Sequence, residues 1–260
     1  MEPNPIELSV EGNIATVRIN RPDRRNALSV AAMNGLTDAW IELETNDDVR
    51  VVVLTSADCG TFCAGLDLKE AAEVKEKEGV DILTKIRDPF QDHMLTLSKP
   101  IVAAMTGSLM AGGMMLALRA DLRVGLAGTK VGITEVKIGR GSPWAAPALY
   151  MIPQPILMEI VLTGDLVDIE RLHAFGFTNF LETTPDAVRA RAYELAKRIA
   201  SGAPLSVKAA KASVRATMNE GCETGLKEGW RLHAAAYASQ DAIEGPRAFA
   251  EKRAPVWLGR

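Results

Sequence analysis

Two glycine turns are the segments of this chain best placed to do chemistry: Ser108-Leu-Met-Ala-Gly-Gly-Met-Met115 and Phe62-Cys-Ala-Gly-Leu-Asp-Leu-Lys-Glu70. Each follows a hydrophobic run and opens a helical pattern. Glycine lets a ligand come close to the backbone, and the first N–H groups of a helix have no internal acceptor. Two such turns aimed at one point would give two N–H donors to an oxygen that gains negative charge during a reaction. Each turn taken alone is equally a plain helix-initiating turn.

The elements around these turns can be read from periodicity. Ile6 to Asn20 alternates apolar and polar residues about Glu11-Gly-Asn13, which predicts a two-stranded hairpin. Ser29 is expected to cap a helix running to about Glu44, with Met33, Leu36, Trp40 and Leu43 at helical spacing. Val51 to Thr55 reads as a buried strand feeding the first turn, and Leu66 to Lys77 as a helix charged on its outer side. Val80 to Leu97 reads as a further helix. Strand Ile101 to Met105, a helix over Gly112 to Arg119 and strand Leu122 to Leu126 follow. Beyond Thr183 the chain reads as nearly continuous helix, at Pro185–Ala200, Pro204–Met218 and Gly221–Ser239. Their apolar faces need a covering surface. The pattern is that of an α/β fold with a buried sheet.

Composition excludes several function classes. At 260 residues with 47% hydrophobic and 24% charged residues, the chain fits one large soluble domain with an appendage. A net charge of −3 gives no footprint for nucleic acid. No apolar run reaches the ~18 residues that span a bilayer, so no membrane partner is expected. The start, Met1-Glu-Pro-Asn-Pro5, lacks the features of a signal or transit peptide. Cys59, Cys63 and Cys222 have no metal-ligand spacing and read as buried thiols of a reducing compartment. The expectation is a cytoplasmic enzyme without a metal.

Five motifs occur in order along almost the whole chain: Asn20-Arg-Pro-Asp-Arg-Arg-Asn-Ala-Leu28, Phe62-Cys-Ala-Gly-Leu-Asp-Leu-Lys69, Ala111-Gly-Gly113, Leu162-Thr-Gly164 and Phe249-Ala-Glu-Lys-Arg253. In these the chain resembles the crotonase superfamily, the enoyl-CoA hydratases and isomerases. The resemblance implies an α/β spiral of ββα turns over residues 1–200, holding the CoA and acyl site. It also implies a C-terminal helical region over residues 201–260 that packs on neighbouring subunits, as a homotrimer or homohexamer. The substrate would be an acyl-CoA thioester, with no cofactor besides the CoA that the substrate carries.

The same resemblance places the oxyanion donors on the backbone N–H groups of Leu66 and Gly112. Of the two glutamates used by the family's hydratases, the second matches Glu135. The first would sit one helical turn beyond Gly112, on the same face, where this chain has Met115. A thioether cannot take a proton from water, so a single acid/base remains. Family isomerases work with one glutamate of this kind, and double-bond isomerisation is the expected reaction. Hydration with another water activator, or acyl-CoA binding without catalysis, are the alternatives.

For CoA, the resemblance points to the segment Ala64, Leu66, Asp67, Leu68, Lys69 with Gly112, to Arg24 and Arg25, and to Phe249 and Lys252 in an adenine pocket often shared between subunits. Each of these cations could equally be a solvated surface charge. Asp67 belongs to the helix-opening motif and reads as structural. After Glu135, Ser142-Pro143 is expected to start a helix, and Trp144 either shapes the acyl pocket with Met115 or packs in the core.

Overall fold

The computed structural model describes residues 4–260. Strands β1 (Ile6–Glu11) and β2 (Ile14–Ile19) form the expected hairpin, with Ile6 opposite Ile19. Helix α1 (Val30–Thr45) is capped by Ser29, whose hydroxyl accepts from the Ala32 N–H at 3.1 Å, and buries Met33, Leu36, Trp40 and Leu43.

Three units of similar construction follow. The first is β3 (Val51–Ser56), β4 (Thr61–Cys63) and α2 (Leu68–Glu78). The second is β5 (Ile101–Met105), β6 (Ser108–Met110) and α3 (Gly112–Arg119). The third is β7 (Leu122–Leu126) and β8 (Lys130–Gly132), closed by a 3-10 turn over Glu135–Ile138. After α4 (Gln154–Thr163) come β9 (Val167–Asp168), α5 (Ile169–His173) and β10 (Phe180–Glu182).

The first strand of each unit joins a six-stranded sheet ordered β1-β2-β3-β5-β7-β10, and the second joins a four-stranded sheet ordered β4-β6-β8-β9. All neighbours from β2 to β10 in the large sheet, and from β4 to β8 in the small one, are parallel. Each unit therefore advances both sheets by one strand, which makes a spiral of ββα turns.

Alternation along the large sheet divides its burial between two faces. Val51, Val53, Val102, Ala104 and Val124 pack against Val188, Ala192, Leu195 and Ala196 of α6 (Pro185–Ala200). The opposite set, including Val52, Leu54, Ile101 and Ala103, faces the main core with α1. The chain then leaves the sheets as α7 (Pro204–Glu220), α8 (Cys222–Tyr237) and α9 (Gln240–Ala250). Helix α7 is fastened to the spiral by Lys211, which reaches Asp121 at 2.8 Å and the Lys99 carbonyl at 2.7 Å. The C-terminal tail returns to the spiral through Arg50, which donates to the Trp257 carbonyl at 3.1 Å.

Four local expectations need correction. Val80 to Leu97 is not an α-helix: Ile82–Lys85 is a 3-10 turn and Pro89–Met94 a π-helical turn. Pro89 disfavours the helical conformation at Asp88, and Asp81 and Asp88 each cap a fresh start. Helix α2 begins at Leu68 with Asp67 as its cap rather than at Leu66. Pro143–Tyr150 is a 3-10 segment, and the Ser142 side chain makes no capping bond. Of the three cysteines only Cys63 is buried. No helix among the described residues is long and apolar enough to cross a membrane.

The far end of α3 is held by Arg123. This buried guanidinium donates from Nη1 to the carbonyls of Ala117 (3.0 Å) and Ala120 (2.7 Å), and from Nε to that of Phe177 (2.5 Å). A cation at a helix C-terminus meets the negative end of the dipole. Burial nevertheless lowers its pKa to about 10. Arg123→Met should strand those carbonyls and cost about 3 kcal/mol of stability, read as a lower urea midpoint. A change below about 0.5 kcal/mol, the scale of an ordinary surface substitution, would mean that the carbonyls find other partners.

Candidate active site

The small sheet brings three groups together. Strands β4, β6 and β8 run parallel, with Cys63 beside Leu109 and Leu109 beside Val131. Just beyond their C-terminal ends lie Leu66, Gly112 and Glu135, one from each unit of the spiral. All three line one cavity of about 610 Å³, together with Ala64, Leu68, Met115 and Trp144.

The first turn is anchored on the segment that precedes α1. Leu28 bridges Leu66 as in a parallel ladder. Its N–H donates to the Gly65 carbonyl at 2.7 Å, and its carbonyl accepts from the Asp67 N–H at 3.0 Å. In that geometry the N–H of Leu66 points the other way, and among the described residues it has no acceptor. Asn26, wholly buried, supports the turn from below by donating to the carbonyls of Ala57 and Thr61, both at 2.8 Å.

Asp67 is structural, as its place in the motif implied. It accepts from the Glu70 N–H at 3.3 Å and pairs with Arg21 at 3.0 Å. Burial works against its charge. The Arg21 guanidinium, the Glu70 N–H and the Arg24 charge outweigh burial and hold the carboxyl below its usual range.

The second turn lies directly against the first. At Gly65, with φ of +86°, a Cβ would stand 2.8 Å from that of Ala111. At Gly113 a Cβ would fall 2.3 Å from the Cys63 carbonyl oxygen. Only glycine allows either approach. Ala111 itself sits at φ +50°, ψ −116°, a conformation that costs a non-glycine residue ~1–3 kcal/mol. Its N–H is tied to the Gly132 carbonyl at 3.0 Å. Gly112, the first residue of α3, presents an N–H that no carbonyl within the helix can reach. Like Leu66, it has no acceptor among the described residues.

Glu135 opens the 3-10 turn after β8 and is only 8% exposed. Its Oε2 is buried with no hydrogen-bond partner among the described residues. Burial raises its pKa above the ordinary carboxylate value, opposed in part by the backbone N–H groups of Glu135 and Thr134 and by the Trp144 side chain. A carboxyl so placed keeps its proton to a higher pH than an ordinary glutamate and is suited to accept and return one. Met115 presents a thioether to the same cavity and has no such capacity. Cys63, behind the first turn, is inert: burial pushes its thiol up to about 12.

The remaining expected residues lie outside this cavity. Lys69, Arg24 and Arg25 are exposed near the first turn, and Lys252 is exposed beyond α9. Phe249 is 87% exposed. Among the described residues nothing brings Phe249 or Lys252 to the cavity. The two charged cavity residues other than Glu135, Asp88 and Arg140, escaped the sequence analysis. Asp88 stands in the segment misread as helix, and the Asp-Pro dipeptide was the signal available there.

The family model described as enoyl-CoA hydratase/isomerase matches residues 9–260. The chain is 35% identical to a protein named (E)-benzylidenesuccinyl-CoA hydratase from Thauera aromatica, over 98% of this chain and 99% of that one. It is 33% identical to a carnitinyl-CoA dehydratase from Salmonella typhi, over 98% of each. Among solved structures, enoyl-CoA hydratase from Mycobacterium tuberculosis H37Rv superimposes with a TM-score of 0.88 at 34% identity, covering 99% of this chain and 100% of that one. One from Bacillus anthracis gives 0.91 at 27% identity, covering 98% and 100%. With its ββα spiral, its paired glycine turns and these whole-length matches, the chain belongs to the enoyl-CoA hydratase/isomerase family of enzymes, the crotonase superfamily.

Proposed function

We propose that the protein is a single-base enolate enzyme that moves the double bond of an acyl-CoA thioester. The thioester oxygen sits between the N–H groups of Leu66 and Gly112. Glu135 takes a proton from carbon 2 of a 3-enoyl thioester, and the electron pair delocalises onto the oxygen held by the two donors. The same carboxyl returns the proton at carbon 4, leaving the 2-enoyl isomer. Two preorganised donors, with the positive end of the α3 dipole, supply several kcal/mol to the enolate. The observation that carries this reading is the pair Glu135 and Met115: a buried carboxyl whose Oε2 has no partner among the described residues lines the cavity, while the position one turn beyond Gly112 has no basic group.

Hydration is the second reading, favoured by the names of the relatives, several of which are called hydratase or dehydratase. It requires a water activator other than Met115. The CoA portion is assigned to Lys69, Arg24 and Arg25 near the first turn. Phe249 and Lys252 are assigned to an adenine pocket completed by a neighbouring subunit. This fits a homotrimer or a hexamer of two trimers. Trp230 and Tyr237 on α8 are 64% and 66% exposed, and Val214 and Leu226 are exposed beside them. Leu205 and Val207 are half-buried.

Light scattering at micromolar concentration should therefore give three or six times the chain mass of 28.0 kDa. A monomer would remove the shared adenine pocket.

Glu135→Gln keeps shape while losing basicity. Exchange of the α-proton with solvent deuterium should fall by roughly 10²–10⁴-fold, with little change in thioester affinity. In the parent protein the exchange rate should fall with acid through a pKa above the ordinary glutamate value of 4.5. The same shift sets a stability signature. A carboxyl whose folded pKa is raised binds its proton more tightly when folded, so it disfavours folding increasingly as pH rises from the unfolded to the folded pKa. Glu135→Gln should then melt higher than the parent at pH 7, with the difference vanishing below about pH 4, where both are neutral. An unchanged exchange rate in the variant would take Glu135 out of the mechanism.

Isomerisation and hydration separate by product. A 3-enoyl-CoA should yield the 2-enoyl thioester, and a 2-enoyl-CoA should yield no appreciable 3-hydroxyacyl product. Met115→Glu should add hydration, because its side chain leaves α3 beside the same cavity. Efficient hydration by the parent protein would replace the first reading with the second.

A further inference from the structure

Two irregular stretches wall the cavity where it meets solvent. Leu83 and Ile86 come from the chain between Gly79, which ends α2 in the left-handed conformation, and Arg87. Arg87 is pinned to α1: its N–H donates to the Asn34 Oδ1 at 2.9 Å, and its guanidinium pairs with Asp38 at 2.8 Å. The other wall, with Ile138, Arg140, Pro143 and Trp144, follows the turn that carries Glu135. Leu83 and Ile138 are both exposed at the rim. Among the described residues a single hydrogen-bonded ion pair joins the two walls, Arg140 Nη2 donating to Asp81 Oδ2 at 2.7 Å.

Both partners are held before they meet. Asp81 Oδ1 accepts from the Leu83 N–H at 2.9 Å and so caps the turn Ile82–Lys85. Beyond Gly139, at φ +68°, the Arg140 N–H donates to the Glu135 carbonyl at 3.0 Å. The Leu83 N–H and the Arg140 guanidinium hold the Asp81 carboxyl below its usual range. An exposed ion pair gains little when two free side chains must be ordered to form it. Here the carboxylate is already ordered by its cap.

Resting on the reading of this cavity as the acyl site, we propose that Asp81 and Arg140 form a clasp that sets the size of acyl group the site accepts. A short acyl group fits within the cavity of about 610 Å³ with the clasp shut. A long one has to pass the rim between Leu83 and Ile138, spreading the walls and parting the pair. Its affinity is lowered by what the pair was worth. The clasp selects by size and not by charge, because each partner neutralises the other.

Calorimetric binding of butanoyl-CoA and dodecanoyl-CoA tests this, since their affinity ratio cancels what the shared CoA contributes. Asp81→Asn keeps a capping side chain, and Arg140→Gln removes the charge from the other wall. Each should raise the dodecanoyl-to-butanoyl affinity ratio about 2- to 5-fold, the worth of an exposed ion pair. Salt raised from about 20 mM to about 500 mM screens the pair. The ratio should then rise more in the parent than in either variant, whose own response measures the background effect of salt on chain binding. A ratio unchanged in both variants, a ratio that falls, or an equal salt response in parent and variants would overturn the proposal. Deuterium exchange at carbon 2 of butanoyl-CoA by the parent reports separately on the enolate reading. Its absence would count against that reading, whereas the affinity ratio speaks only to the clasp.

Discussion

The site depends on one steric constraint, the contact between the two glycine turns. Gly65 lies against Ala111, and Gly113 lies against the Cys63 carbonyl, at separations that no Cβ can occupy. That contact puts the free N–H groups of two successive units of the spiral side by side. It also accounts for the strained Ala111, held at positive φ by its bond to Gly132 on the next strand and by the start of α3. The strain is local, and the parallel pairing of β4, β6 and β8 on both sides of the turn over-determines it.

Among the described residues, the same arrangement leaves three polar groups unsatisfied at one place: the N–H groups of Leu66 and Gly112, and the Oε2 of Glu135. The Glu135 Oε2 is buried, and buried polar groups without partners are rare because each costs free energy. The spiral tolerates these unpaired groups because the surrounding structure is well secured. Arg123 closes the far end of α3, Asn26 and the Arg21–Asp67 pair hold the first turn, and the main core lies behind both. Donors and acceptor are thereby fixed before any ligand arrives, as electrostatic preorganisation requires.

Much of this was legible in the sequence where local physics decides. The hairpin, α1 with its Ser29 cap, the long strands of the large sheet and the helices α6, α7 and α8 follow from period and local signals, whereas α9 went unread. The three-residue strands β4, β6 and β8 are too short to show a period, so the second sheet and the third unit of the spiral stayed hidden. The segment from Val80 to Leu97 was misread because its apolar residues have near-helical spacing, while Pro89 and two aspartate caps break it into turns. Asp88 and Arg140 were missed for a related reason. Their place in the cavity is set by how two irregular walls meet, which no local pattern encodes.

Met115 changes the electrostatics of the site as well as its inventory of bases. Two carboxylates in one dry cavity would raise each other's pKa and titrate as a coupled pair. With a thioether in one position, the pKa of Glu135 answers chiefly to burial, with its own and Thr134's backbone N–H groups and Trp144 as the opposing influences. A buried carboxyl with one oxygen free and no ion pair among the described residues has no fixed counter-charge to hold it in one state. It can therefore give back the proton it has taken, which is the property a one-base proton shuttle needs. Activating a water molecule asks for something else, a base that stays ionised while another group delivers the proton. On the proposed single-base reading, a methionine one turn beyond Gly112 leaves proton movement along the acyl chain, rather than addition of water to it, as the chemistry this residue set supports.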